Sequence, residues 1–294
     1  MNLFDEIKSS FKQGSTLIQL IYLNLGVFFV VKILQIFFIL FDAPQGFESF
    51  IRWFAVPSFF QELIRKPWTL VTYMFLHEGF LHILFNLLWL FWFGKIFLEY
   101  LDQKKLVSVY LLGGLLGAAL YIISFNVFPV FQNVVEESVA LGASAAVIAV
   151  VIAIVVYVPN HTVYLLFIGP VKIKYIGILI FLVTSVLDFS SNTGGKIAHI
   201  GGAILGFVYT SQYRKGKDIG RGLNRLLDRI YSLFKPRKKL KVTHKKPMND
   251  YEYNLNKAKE QQEINRILDK ISKGGYNSLT KEEKETLFKM SNKK

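Results

Sequence analysis

Four polar residues fall within apolar runs of this chain, and their types are those of a hydrolytic site: His82, Asn86, Ser144 and His199. They lie in Gly79-Phe80-Leu81-His82-Ile83-Leu84-Phe85-Asn86, in Leu141-Gly142-Ala143-Ser144-Ala145-Ala146 and in Ile197-Ala198-His199-Ile200-Gly201-Gly202. Polar side chains are expensive at membrane depth and usually face a cavity or a partner. A serine hydroxyl is a weak nucleophile and needs a base, and a neutral His199 imidazole can supply one. Ser144 stands at a helix start, where unpaired backbone N–H groups and the helix dipole stabilise an oxyanion. His82 and Asn86 are spaced i, i+4, so they share one helix face and add side-chain donors. Taken singly, Ser144 reads as an ordinary helix cap and His199 as a packed histidine. Taken together, they read as catalytic.

The elements that must position these residues are six apolar stretches. They are about Leu17 to Phe41, Phe80 to Leu98, Leu106 to Phe125, Ser144 to Val158, Ile173 to Leu187 and Ile197 to Tyr213. The fourth and fifth are short for a bilayer of about 30 Å, which takes ~20 residues. The second-to-third connection has Lys104 and Lys105, and the fourth-to-fifth has Lys172 and Lys174. The third-to-fourth has no Lys or Arg and carries Glu136 and Glu137. Positive residues stay cytoplasmic, so both termini are expected inside. Spans two, four and six then start at the outer face, and His82, Ser144 and His199 fall at similar depth. The first connection, Asp42 to Gly79, is rich in Trp, Phe and Pro and is expected partly in the interface.

Two spans carry small residues four apart: Ala145, Ala149 and Ala153 on the fourth, and Ala198, Gly202 and Gly206 on the sixth. Such faces let membrane helices approach closely. Packing these stripes together brings Ser144 and His199 toward each other.

The composition fits a polytopic membrane protein, with 52% hydrophobic and 15% aromatic residues among 294. The absence of cysteine excludes disulfides and thiol chemistry, and the N-terminal stretch lacks a cleavage site for a removable signal peptide. The charge of +14 sits almost wholly beyond residue 213. Directly after the last span, an anionic lipid surface is a closer partner than nucleic acid. Within the basic stretch, Ile219, Leu223, Leu226, Leu227, Ile230, Leu233 and Phe234 recur at helical spacing, with Arg221, Arg225 and Arg229 on another face. This reads as an amphipathic helix on the membrane surface. Residues 247–294 read as a small charged helical tail, its last helix opened by the capping box Thr280-Lys281-Glu282-Glu283. The expected organisation is thus 1–15, a cytoplasmic segment; 16–213, the membrane domain; 214–246, the basic amphipathic segment; and 247–294, the tail.

The motifs His82-x-x-x-Asn86, Gly142-Ala143-Ser144-Ala145 and Ala198-His199-x-x-Gly202-x-x-x-Gly206 resemble, in order and in helix, those of the rhomboid family of intramembrane serine proteases. The resemblance covers about residues 16–213. It implies an all-α, six-transmembrane bundle of the bacterial form, in the inner membrane. It also implies a Ser144–His199 dyad without an acid, with oxyanion donors from His82, Asn86 and the Ser144 backbone. Substrates would be transmembrane proteins, entering between spans two and five and cut near the outer face, with no metal and no cofactor. His77 resembles a further family histidine and is read as structural. Two positions depart from the pattern. Ala145 stands where the family has Gly, and Ile148 where some members stack a tyrosine under the histidine. Asp188, near the end of span five, is expected to be a solvated carboxylate rather than a third triad member, and Phe189 to Lys196, with Ser190, Ser191, Asn192, Gly194 and Gly195, is a candidate flexible lid. Two rivals remain. One is a catalytically weak or inactive rhomboid-like protein that binds transmembrane clients. The other is a small-solute transporter, which the lack of an internal repeat disfavours.

Overall fold

The computed structural model describes residues 5, 9–11, 14–187, 192–234 and 249–291. The chain divides into two compact units, Met1–Lys235 and Pro236–Lys294.

In the first unit, α1 (Thr16–Leu40) is a 25-residue helix of almost wholly apolar sequence. At 1.5 Å per residue it exceeds the hydrocarbon thickness of a bilayer. The connection that follows is folded: α2 (Pro44–Phe54), β1 (Val56–Pro57), α3 (Phe60–Arg65), α4 (Thr69–Thr72) and a 3₁₀ turn at Tyr73–Phe75. The indoles of Trp53 and Trp68 stack 5.7 Å apart there, with the Lys66 ammonium over Trp53. Next come α5 (Phe80–Tyr100) and α6 (Gln103–Val127). Asp102 caps α6, accepting a hydrogen bond from the Lys105 amide at 2.9 Å. By length and composition α1, α5 and α6 can each cross a membrane.

The strand β2 (Val139–Ala140) pairs antiparallel with β1, Val56 opposite Ala140 and Pro57 opposite Val139. This ties the first connection to the residues just before Ser144. Then follow α7 (Ser144–Tyr157), a hairpin of β3 (Thr162–Leu165) and β4 (Gly169–Lys172), α8 (Ile173–Ser185), α9 (Thr193–Arg214) and α10 (Arg221–Phe234). The hairpin pairs Thr162 with Lys172 and Leu165 with Gly169. The all-helical expectation therefore gains two short antiparallel pairs, at places the apolar pattern marks only as connections.

The shortness of α7 has a packing cause. Ala145 to Val151 and Ala153 to Val155 are all buried, so α7 is sheathed by other helices rather than by lipid. A helix apolar all round belongs inside. Its neighbours approach at backbone range. A Cβ built on Gly202 would fall 2.1 Å from the Ala145 carbonyl oxygen, and one on Gly206 2.4 Å from that of Ala149. A third helix joins them: on α6, a Cβ at Gly113 would meet the Ala149 Cβ at 2.2 Å, and one at Gly117 the Ala145 Cβ at 2.6 Å. By contrast α1 and α8 present large exposed apolar residues, Ile33, Phe37, Ile178 and Leu179 among them, as lipid-facing helices do. With these faces, this is an integral membrane protein.

The helix α10 belongs to this first unit. Ser108 donates to the Asn224 side-chain oxygen at 2.8 Å, Lys104 pairs with Asp228 at 2.8 Å, and the Tyr209 hydroxyl donates to Asp218 at 3.2 Å. Residues 235–246 of the basic segment lie outside the described residues.

The second unit consists of α11 (Asp250–Gly274), a 3₁₀ turn at Tyr276–Ser278 and α12 (Lys281–Ser291). Gly275 ends α11 at φ +72°, a conformation that glycine adopts cheaply. Thr280 and Glu283 exchange the two bonds of a capping box, at 2.8 and 3.3 Å. Glu283 also pairs with Lys270 at 2.9 Å, and Ile267 and Leu279 are buried.

Candidate active site

His82, Asn86, Ser144 and His199 line one cavity of about 950 Å³, whose walls include Trp89 and Tyr121. Each comes from a different local device. Ser144 is the first residue of α7 and Ala143 holds the cap position, so helix capping does not account for the serine. Just before it Gly142 takes φ +133° and donates its N–H to the Tyr73 carbonyl at 2.9 Å. A Cβ at Gly142 would lie 3.1 Å from His82 Nε2 and 3.5 Å from Ser144 Oγ. Only glycine suits that backbone, and only glycine leaves open the space between hydroxyl and imidazole.

His82 stands in the first turn of α5, with Asn86 buried one turn on. Asn86 donates from Nδ2 to the His82 carbonyl at 2.9 Å, which orients its amide and leaves a second N–H on the same nitrogen. Behind His82 is His77, buried, with the two rings 5.1 Å apart and edge to face. Neither His77 ring nitrogen has a partner among the described residues. Burial, and then the His82 ring, lower its pKa to about 4, so it is neutral. The turn between these histidines is held from α1, where Lys32 Nζ donates to the Glu78 carbonyl at 2.7 Å. A lone lysine in an apolar run is a signal legible in the sequence.

His199 lies in the second turn of α9. Its Nδ1 is 3.0 Å from the Thr184 carbonyl on α8. A carbonyl only accepts, so Nδ1 carries the proton and Nε2 is left as an acceptor. Ile148, where a stacking tyrosine is absent, lines the cavity. The histidine is thus held by a main-chain bond that the sequence does not display. No hydrogen bond joins Ser144 and His199 among the described residues. Such bonds are often long before substrate binds.

Asn192 caps α9, accepting from the Gly195 amide at 3.2 Å. Asp188, Phe189, Ser190 and Ser191 lie outside the described residues. No cluster of metal-binding side chains occurs among the described residues.

The sequence pattern of the Rhomboid domain family matches residues 65–215, just over half of the chain. The chain belongs to the rhomboid family. Among curated proteins, it is similar to the RHOMBOID-like protein 12, mitochondrial, of Arabidopsis thaliana, with 30% identity over 51% of this chain and 47% of that one. It is also similar to the rhomboid protease GlpG of Haemophilus influenzae, 27% identical over 56% of this chain and 79% of that one. The GlpG of Pectobacterium atrosepticum is 29% identical over 36% and 34%. The match of this rhomboid thus spans about half the length of the plant relative. Residues 249–293 match a second family, one of unknown function, DUF6576.

Proposed function

We propose that this rhomboid is an intramembrane serine endopeptidase acting on transmembrane proteins, with Ser144 as nucleophile and His199 as base. One observation carries the reading: Ser144, His199, His82 and Asn86 line a single cavity of the helical bundle, with His199 Nδ1 committed to Thr184. Nε2 takes the Ser144 proton as Oγ attacks the scissile carbonyl. His82, the second N–H of Asn86 and the Ser144 backbone N–H stabilise the oxyanion. The proton passes from His199 to the leaving amine, and a water activated by the same nitrogen releases the acyl group. No cofactor is needed.

In this reading α1, α5, α6, α7, α8 and α9 are six spans. The loop lysines place both termini in the cytoplasm and the site near the outer face, in the inner membrane of a bacterium. The relatives named rhomboid protease support the reaction class. The basic segment, 214–246, lies on anionic lipid, and 247–294 is a cytoplasmic appendage to the membrane domain at 16–213. The rival is a binder of transmembrane clients without proteolysis.

A serine-reactive fluorophosphonate separates the two. It is expected to label the purified protein at Ser144, with labelling and cleavage of a test transmembrane substrate both lost in Ser144→Ala. Cleavage at the wild-type rate by a folded Ser144→Ala protein would end the proposal.

A further inference from the structure

Among the described residues outside the spans, the β3–β4 hairpin carries a strongly exposed apolar group. Tyr164 is 83% exposed, Leu166 79%, Phe167 98% and Ile168 72%. This is no unstructured loop. Four residue pairs hold it, and its base is fixed: the Ile173 N–H donates to the His161 carbonyl at 2.9 Å, and His161 Nδ1 shares a hydrogen bond with the Tyr100 hydroxyl at 2.9 Å. One face is half-buried, Val163 packing on the core, while Tyr164 and Pro170 on the other face stand out. At the tip Phe167 takes φ +73°, a conformation that bulky residues rarely adopt and glycine adopts freely. A turn selected only for closure would hold Gly or Asn there.

Charge indicates what covers the tip. From residue 138 to 187 there is no Asp or Glu, and Lys172 and Lys174 flank the join of β4 to α8. Lys172 is the residue preceding the first turn of α8, so the hairpin leads without a linker into a helix whose Tyr175, Ile178 and Leu179 are exposed apolar surface. An apolar tip, a tyrosine above it and lysines at the base, in a stretch of sequence without acids, form the pattern of a segment seated in a lipid interface. Four strand residues rise about 13 Å, which fits within one leaflet and cannot cross two.

We propose that the β3–β4 hairpin is a membrane-seated finger. Leu166, Phe167 and Ile168 bury at the acyl-chain boundary of the leaflet at the end of α7 remote from Ser144, and Lys172 and Lys174 meet anionic headgroups. This does not depend on the proteolytic reading, and it assigns a lipid contact to a connection between spans.

The chain has no cysteine, so Phe167→Cys gives a single site for a nitroxide label in the full-length protein. The labelled protein is placed in nanodiscs of phosphatidylcholine and phosphatidylglycerol. Leu179→Cys on α8 serves as the lipid reference and Lys281→Cys on α12 as the water reference. The ratio of oxygen to nickel-chelate collision rates at 167 is expected to follow the label at 179 and to exceed that at 281 several-fold. Lys172→Glu with Lys174→Glu should move the 167 label toward the water value in the anionic discs. A 167 label that collides with the nickel chelate as freely as the one at 281 overturns the proposal. So does a label shielded from both reagents, which would mean that a protein or a second copy of this chain covers the tip.

Discussion

In the membrane unit, α9 lies against α7 so closely that a Cβ on Gly202 would fall 2.1 Å from the Ala145 carbonyl oxygen. In the C-terminal unit, α11 and α12 meet around Glu283, held by Lys270 at 2.9 Å and by Arg266 at 3.7 Å, beside two buried apolar residues, Ile267 and Leu279. The environments explain the difference. Lipid tails are as apolar as leucine, so membrane helices gain little by hiding apolar surface and associate by close packing of small residues. Water rewards apolar burial, but a unit this small has little to bury. Charges and caps then make up part of the deficit. The first unit should therefore respond to volume and ignore modest changes of pH, and the second should do the reverse.

The largest expected contrast is in activity. His199→Ala should lower cleavage of a transmembrane substrate by at least ~10³-fold, since base and nucleophile act as one unit. Ending the chain after Lys235, which removes the whole second unit, should leave the rate within about two-fold, as the four proposed site residues all belong to the first. Equal losses would mean that the units are not functionally separate. Asn86→Ala should follow, lowering kcat by up to ~10²-fold with KM little changed. A loss confined to KM would make Asn86 a substrate-positioning residue.

Next comes packing. Gly202→Leu should destabilise the membrane unit by at least ~3 kcal/mol or prevent its folding, because backbone atoms at 2.1 Å cannot give way. Gly222→Ala on α10, with nothing within 4 Å of its Cβ, should be neutral or stabilise by about 0.5 kcal/mol. Thermal unfolding in detergent checks both, and similar effects would show that close approach does not govern this unit.

The smallest effect is electrostatic. The Lys270 ammonium, and then the hydrogen bond from the Thr280 amide, hold the Glu283 carboxyl at about 2, down from 4.5. A pKa depressed by folding contributes stability that is present above 4.5 and is lost as pH falls toward 2. Hydrogen exchange of α11 and α12, corrected for intrinsic rates, should therefore quicken over that window in the full chain. Glu283→Gln should flatten the dependence, while the amides of α7 stay protected throughout. A pH-independent tail would remove the contrast.

Much of this is legible in the sequence because helices write their faces as periods. Small residues four apart on α7 and α9 announce a seam, and the structure sets Gly202 and Gly206 on the carbonyls of Ala145 and Ala149. Gly113 and Gly117 on α6 carry the same four-residue period, yet their meaning depends on a third helix that no local pattern identifies. The pair β1–β2 is shorter still. Two residues have no alternation to read, and Val56 gains its partner Ala140 only through the tertiary fold. The brevity of α7 looks anomalous against a bilayer and is ordinary once α7 is seen to be sheathed in protein. Lys32 is visible as a charge in an apolar run, and Gln35 three residues on is one acceptor, but the other is the main chain at Glu78, which no residue type signals.

The same holds for the group that turns His199. Every amino acid at position 184 brings a carbonyl, so a complete set of substitutions there leaves the acceptor in place. A mutational scan there would not report this oxygen, which makes Nδ1 of His199 the donor and leaves Nε2 as the acceptor. What such a scan would register instead is anything that slides or tilts α8, at positions remote from the histidine. The orientation of the imidazole is thus inherited from the placement of a whole helix rather than from the identity of any one side chain.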